Sequence, residues 1–446
     1  MPAPQRPDAA HSVTRIAIAS AIGTAIEWYD FFLYGVVAAI VLNKVFFPEV
    51  SPLVGTLLSY TTFAIGFVAR PVGGVIFGHF GDRIGRKTIL ILTLLIMGVS
   101  TFLIGLLPGQ ASIGIAAPIL LLVLRILQGI GIGGEWGGAV LMAFEHAGHG
   151  RRGFYASFPQ LGVPIGLMLS AGVVALLGLL PEADFLAWGW RIAFLLSAVL
   201  VAIGLFIRMR ILETPDFLEV KATRAEVAVP FLELLRRHPR AVVLTLGARY
   251  VEGACFNVFG VFIIAYLVGT LHLARGLALD GVILASAVMI PFILFYGRLG
   301  DRFGLRRVFG IGAVAVAVTS VLAFIIMQSA GAAHPGLIWL AMIIPFSLAY
   351  PAVYGTEAAL FATQFSTPVR YSGVSFAYQF SGIFASGLTP IVCTYLLAWG
   401  HGNPWLISVY MVVVGLISLV SVIAMHPPLP HGAEEGAASS SPPFPV

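Results

Sequence analysis

Apolar residues run through this chain in stretches of about 20 or more, separated by short polar loops. A helix that crosses lipid needs roughly 20 predominantly apolar residues, because no water is present to satisfy its backbone N–H and C=O groups. The pattern predicts twelve spans. Six lie in the first half, near 16–41, 53–77, 88–107, 117–142, 155–179 and 189–208, and six in the second, near 241–269, 279–297, 307–328, 336–361, 372–398 and 404–425. Pro71, Pro164, Pro291, Pro345 and Pro390 fall inside these stretches. Membrane helices tolerate proline because neighbouring helices re-satisfy the freed backbone groups. The first stretch is longer than the core of a secretory signal and contains Glu27-Trp28-Tyr29-Asp30, so it is expected to be a retained span.

Composition points the same way. Of 446 residues, 59% are hydrophobic and 10% charged, whereas ordinary globular domains carry about 25% charged residues. Disorder, a nucleic-acid-binding domain and an ordinary cytosolic enzyme are excluded, and the lipid bilayer is the expected surrounding. The net charge of +5 follows from topology rather than from a nucleic-acid partner. Of the 25 Lys and Arg residues, nineteen lie in loops on one side, with only Lys44, Arg191 and Arg275 on the other and Arg70, Arg125 and Arg249 inside spans. Basic residues accumulate in cytoplasmic loops, so both termini are expected in the cytoplasm, which requires an even number of spans. Cys255 and Cys393 sit in apolar runs and offer no disulfide framework or metal-ligand spacing.

The longest polar stretch between spans, 209–240, divides the chain. The expected organisation is a cytoplasmic tail (1–14), a six-span half (15–208), a cytoplasmic central loop (209–240), a second six-span half (241–425) and a disordered cytoplasmic tail (426–446). A repeat supports the division. Gly78-His79-Phe80-Gly81-Asp82-Arg83-Ile84-Gly85-Arg86-Lys87 follows the second span, and Gly297-Arg298-Leu299-Gly300-Asp301-Arg302-Phe303-Gly304-Leu305-Arg306-Arg307 follows the eighth.

This loop resembles the G-x-x-x-D-R-x-G-R-[RK] signature of the major facilitator superfamily. The first copy matches throughout; the second has Leu305 before its Arg pair. The resemblance extends over the whole chain. It implies an all-α membrane protein of twelve transmembrane helices in two pseudo-symmetric six-helix bundles that rock about a central site. Three further stretches resemble the metabolite:proton symporter branch, which includes shikimate, 2-oxoglutarate, citrate and proline/betaine transporters. They are Gly23-Thr24-Ala25-Ile26-Glu27-Trp28-Tyr29-Asp30, Phe67-Val68-Ala69-Arg70-Pro71-Val72-Gly73-Gly74, and Arg125-Ile126-Leu127-Gln128-Gly129 with Gly133-Gly134-Glu135-Trp136. The segment Val45-Phe46-Phe47-Pro48 with Ser51-Pro52, and Arg370-Tyr371-Ser372-Gly373, are most similar to the shikimate-transporting members. The branch implies a bacterial inner-membrane location.

Ionisable residues inside spans are functional candidates, since a lone charge in lipid is costly. Glu27 and Asp30 are three apart on the first span, with Tyr34 four residues further on the same face. Two carboxylates so close tend to share a proton, which suits proton coupling; pairing with Arg70 or Arg125 is the structural alternative. Arg125 and Gln128 share a face of the fourth span, with Glu135 seven residues beyond Gln128. In the superfamily, an Arg at this place is linked to proton coupling, and its planar fork also suits an anionic substrate. Asp30, Glu27, Arg125 and Glu135 are therefore the proton-coupling candidates. The substrate candidates are Arg125, Gln128 and Tyr34, then Arg249, Glu252 and Asn257 on the seventh span, Tyr350, Tyr354 and Glu357 on the tenth, and Tyr378 and Gln379 on the eleventh. Arg249 and Glu252, three apart, can equally form a salt bridge with each other. Gly78, Asp82, Arg83, Arg86, Asp301 and Arg302 are expected to gate, an aspartate at a helix end being able to cap a neighbouring helix N-terminus.

Gly129-Ile130-Gly131-Ile132-Gly133-Gly134 fits G-x-G-x-x-G but has no preceding strand, so close helix packing explains it. The same holds for Gly162-Val163-Pro164-Ile165-Gly166. No nucleophile triad, metal set or ATP-binding loop is found, so an enzyme is not expected. The expected function is a monomeric symporter that imports a small organic acid, shikimate-like or a dicarboxylate, with protons as coupling ion and no cofactor or metal. A zwitterion such as proline or betaine is the alternative substrate; residues 427–446 carry no heptads for an osmosensing coiled coil. A passive channel and a membrane-embedded enzyme are the remaining classes.

Overall fold

The computed structural model describes residues 9–84, 86–133, 136–147, 150–210, 234, 236, 238–330, 333–365 and 370–425; at 9–20, 39, 78–84, 86–90, 138–139, 142, 145–146 and 207–210 only the backbone is described. The described chain is helical in twelve apolar segments. They are α1 (Ala21–Val37 with Ile40–Phe46 as a bent pair), α2 (Pro52–Phe77), α3 (Ile91–Leu106), α4 (Ala116–Ile132), α5 (Arg152–Leu177) and α6 (Glu182–Phe206). The second half contains α7 (Pro239–Thr270), α8 (Arg275–Phe303), α9 (Leu305–Ala330), α10 (Pro335–Ala362), α11 (Arg370–Trp399) and α12 (Trp405–Ala424). Nine of the described helices meet the length and apolarity needed to cross a membrane, α1 does so as a pair, and α3 and α4 are shorter apolar helices. The hydropathy pattern missed the start of α6, which begins at Glu182 rather than 189. Glu182 and Asp184 read as loop residues, yet they occupy the first helical turn, where acidic side chains suit the helix dipole.

Each half packs on itself. In the first, α1 lies on α5, α4 on α2 and α3, and α6 on α3; in the second, α9 lies on α10 and α12, α8 on α10, and α7 on α12. Across the halves, α8 packs on α5 and α11 on α2. Large apolar side chains point outward, with Leu176 70% and Ile311 71% exposed, as helices facing lipid require.

Small residues set the closest approaches. A Cβ on Gly129 would meet the Gly66 carbonyl oxygen, and one on Gly133 the Arg70 carbonyl oxygen, while Gly131 faces Thr93 and Met97 of α3. The G-x-G-x-x-G stretch is thus the seam where α4 touches α2 and α3. Gly162 and Gly166 likewise sit against α1, near Thr24 and Trp28. Wider π-helical turns interrupt α7 at Val258–Phe262, α10 at Ile344–Ala349 and α11 at Ile383–Gly387. Such turns loosen the regular backbone pairing and recur at functional sites. In α10 the turn contains Pro345, which has no N–H to donate.

Candidate functional site

Two buried polar clusters face each other, one in each half, with aromatic rings between them. In the first, Arg125 is fully enclosed. Its Nη1 donates to Gln128 Oε1 at 2.7 Å, and Gln128 Nε2 donates to Thr101 Oγ1 at 2.6 Å. The Thr101 hydroxyl donates onward to the Met97 carbonyl at 2.9 Å. Arg125 Nη2 donates to the Phe63 carbonyl at 3.3 Å, and its guanidinium lies over Tyr34 (4.2 Å) and Phe31 (4.5 Å). Gly66 leaves room for this side chain: a Cβ there would lie 2.7 Å from Arg125 Nη2. Asp30 is 0% exposed and sits beside Thr101. The Thr101 hydroxyl donates to the Met97 carbonyl, and neither Asp30 carboxylate oxygen makes a well-formed hydrogen bond among the described residues. The Tyr34 hydroxyl bonds to that of Thr62, and Glu27 is buried one turn before Asp30.

The second cluster centres on Arg249 of α7. Its Nη2 lies 3.3 Å from Glu252 Oε2, its Nε 3.4 Å from Glu357 Oε1 of α10, and its Nη1 donates to Ser381 Oγ of α11 at 3.1 Å. The Tyr350 hydroxyl donates to Glu252 Oε1 at 2.9 Å. The guanidinium carbon rests 3.7 Å from the centre of the Tyr378 ring. The mutual Arg249–Glu252 bridge therefore forms, and Glu357 joins it. Asn257 Nδ2 donates to the Gly253 carbonyl of its own helix at 2.9 Å. Tyr350 and Tyr354 stack 5.3 Å apart, but only Tyr350 spends its hydroxyl, and the Tyr354 hydroxyl has no partner among the described residues.

The halves meet through rings and amides. Tyr378 stacks on Trp136 with centroids 3.5 Å apart, and Phe32 meets Phe256 at 4.8 Å. Gln379 Nε2 donates to the Gly133 carbonyl at 3.0 Å. Trp136 Nε1 donates to Gln160 Oε1 at 3.0 Å, and Gln160 Nε2 to the Tyr354 carbonyl at 3.2 Å. Arg70 occupies a box of Phe31, Phe67 and Trp28, at 4.1, 4.2 and 4.8 Å. Its Nε and Nη2 have no hydrogen-bond partner among the described residues.

Of the gate candidates, Asp301 at the end of α8 accepts from the Gly153 N–H (2.6 Å) and the Phe154 N–H (2.9 Å), in the first turn of α5. An acidic side chain at a helix N-terminus satisfies its orphan donors and its dipole. Arg302 turns away, exposed over Phe303. At the far end of the same helix pair, Arg275 Nη2 donates to the Gly178 carbonyl at 3.0 Å and lies over Phe185. The halves are thus in contact at both ends of α5 and α8. Glu135 lies outside the described residues; Gly78 is described as helical backbone, and the side chains of Asp82, Arg83 and Arg86 are not described. Sequence reasoning overlooked Thr101, Ser381, Trp136 and Gln160 as partners, and gave Arg70 only a structural role, pairing with Glu27 or Asp30. Only Arg70 carries a signal of its own, a charge in an otherwise apolar stretch.

Residues 16–243 match a family model described as Sugar (and other) transporter. Over 93% of its length the chain is 39% identical to the inner membrane metabolite transport protein YhjE of Escherichia coli K12, covering 94% of that protein. The chain belongs to the major facilitator superfamily. Within its metabolite:proton symporter branch, this facilitator is 38% identical to the shikimate transporter of Escherichia coli K12, over 92% of this chain and 94% of that one. It is 35% identical to the proline/betaine transporter of the same organism, over 91% and 82%. Its fold is shared with a D-xylose-proton symporter at TM-score 0.72 and 18% identity, covering 95% of this chain and 99% of that chain. The facilitator is accordingly a multi-pass membrane transporter of small metabolites and not an enzyme.

Proposed function

We propose that the protein is a proton-coupled symporter that takes up a small organic acid across the bacterial inner membrane by alternating access, working as a monomer with both termini in the cytoplasm. The observation that carries this reading is Asp30, an acid enclosed without a well-formed hydrogen bond among the described residues, beside the chain Thr101–Gln128–Arg125. An ionised carboxylate so placed is costly unless a cation approaches it, so it alternates between a proton and the Arg125 guanidinium. Arg125, Arg249 and Arg70 give the interior three guanidinium groups, and the planar fork of each matches a carboxylate. The resemblance to a shikimate transporter supports an acid. A quaternary ammonium, as in betaine, needs an aromatic cage, and the box of Trp28, Phe31 and Phe67 already holds Arg70.

Uptake of labelled shikimate, 2-oxoglutarate, proline and betaine into proteoliposomes tests the reading. An inward proton gradient should drive accumulation of one of the acids, and collapse of the gradient should abolish it. Asp30→Asn should lose gradient-driven accumulation while retaining exchange of substrate for substrate. Flux indifferent to the gradient sinks the symport reading.

A further inference from the structure

Glu252 and Glu357 share the guanidinium of Arg249, and they are not held alike. Glu252 lies three residues along the same helix, meets Nη2 at 3.3 Å, and accepts the Tyr350 hydroxyl at 2.9 Å. Glu357 reaches across from α10 to Nε at 3.4 Å, an ion pair to which no second group among the described residues adds a hydrogen bond, as Tyr350 does for Glu252. Neither of its carboxylate oxygens has a hydrogen-bond partner among the described residues, and its side chain is fully buried. The charged groups that face it are Arg249 and Glu252 of α7. Tyr350 and Tyr354 of its own helix and Tyr378 of α11 are its titratable neighbours.

Two carboxylates share the Arg249 guanidinium, and Arg70 of the first half is the further positive charge acting on Glu252, so the balance of buried charge is sensitive to any acid that enters. A guanidinium receives a carboxylate best along an edge of two parallel N–H groups. Here a protein group sits at each nitrogen of Arg249: Glu357 at Nε, Glu252 at Nη2 and Ser381 at Nη1. An incoming acid can take the edge that includes Nε only by displacing Glu357. Glu357, which no second group among the described residues holds by a hydrogen bond, is the group that yields.

We propose that Glu357 is a second proton-binding residue, and that its protonation frees the Nε edge of Arg249 for the carboxylate of the substrate. The charge balance favours this exchange. Before it, the cluster holds one guanidinium and two carboxylates. Afterwards it holds one guanidinium, the Glu252 carboxylate, the substrate carboxylate and a neutral Glu357. The buried charge is unchanged, so the acid enters only together with a proton. No covalent bond is made or broken. The site stands where both halves can respond, because Tyr378 beneath Arg249 stacks on Trp136 of the first half. This step rests on the symport reading but is separate from Asp30.

The test needs no substrate at first. Infrared pH titration of the full-length, ligand-free protein should show a protonated-carboxyl band that is absent in Glu357→Gln and restored in Glu357→Asp. Shikimate is then mixed with wild-type protein in weak buffer containing a pH dye. Protons should be taken up on binding, and Glu357→Gln should take up one fewer per bound shikimate, its affinity losing a tenfold dependence per pH unit. Asp30→Asn should keep the Glu357 band. The proposal is overturned by an unchanged infrared titration in Glu357→Gln, or by wild-type protein that binds shikimate without taking up a proton. A wild-type protein that shows the band yet accumulates no acid on a proton gradient would count against the symport reading instead.

Discussion

At the scale of single residues, the interior is governed by how each guanidinium is neutralised. Arg249 has two carboxylates and a hydroxyl, whereas Arg125 is held by an amide, a carbonyl and ring faces. Removing one partner of a buried pair leaves the other charge uncompensated, at about 3–5 kcal/mol. Arg249→Met should therefore lower the unfolding temperature of purified protein by several degrees, and adding Glu252→Gln with Glu357→Gln should recover most of the loss. An unaltered melting curve in Arg249→Met would show that the cluster contributes little to the fold. Arg249→Lys should restore the charge but not function, because an ammonium has no fork to span Glu252 and Ser381 and no flat face for Tyr378. Measured uptake should stay well below wild type. The candidates themselves were legible because charge is so scarce in the spans: Asp30, Arg125, Arg249, Glu252 and Glu357 stand out against apolar neighbours. Their partners on the same helix, Glu252 for Arg249 and Gln128 for Arg125, were legible too; those on other helices were not. Ser381 lies 132 positions from Arg249, and the Gln160 amide meets a carbonyl 194 positions away. Serine and glutamine are common enough that no spacing marks them.

At the scale of helices, hydropathy located the spans because lipid forces every backbone group to pair within its own segment. It placed the start of α6 too late, since an acidic first turn looks like a loop. It could say that Gly129 and Gly133 pack closely, but not against what; the structure supplies the Gly66 and Arg70 carbonyls of α2. Gly133→Val should force this seam apart, and overpacking of this kind costs about 1–3 kcal/mol. Lower yield of folded protein in fluorescence-detected size exclusion, with Ala milder than Val, is the expected result. Equal yields for both variants would mean that α2 and α4 can separate freely. Asp301 acts at the same scale. A side-chain cap is worth about 1 kcal/mol, roughly fivefold in an opening equilibrium. Asp301→Ala should raise alkylation of a cysteine placed at Ser157, which is buried against Gly297 in the wild-type contact. No change in labelling would place the latch elsewhere.

At the scale of the whole molecule, both ends of the helix pair formed by α5 and α8 are closed. Asp301 binds the N-terminal turn of α5, and Arg275 binds the carbonyl of Gly178 just past its C-terminal end. Arg275→Ala should bias the protein towards opening at that far end and raise labelling of cysteines there, leaving labelling at Ser157 unchanged. A single helix is therefore gripped at both poles of its dipole, by opposite charges carried on one partner helix. The consequence is kinetic. In the proposed alternating-access cycle one grip has to open while the other holds, so each serves in turn as the fulcrum. Strengthening one grip should then slow only one half of that cycle, which would make the asymmetry between inward and outward transition rates a quantity set by two side chains at opposite ends of α8.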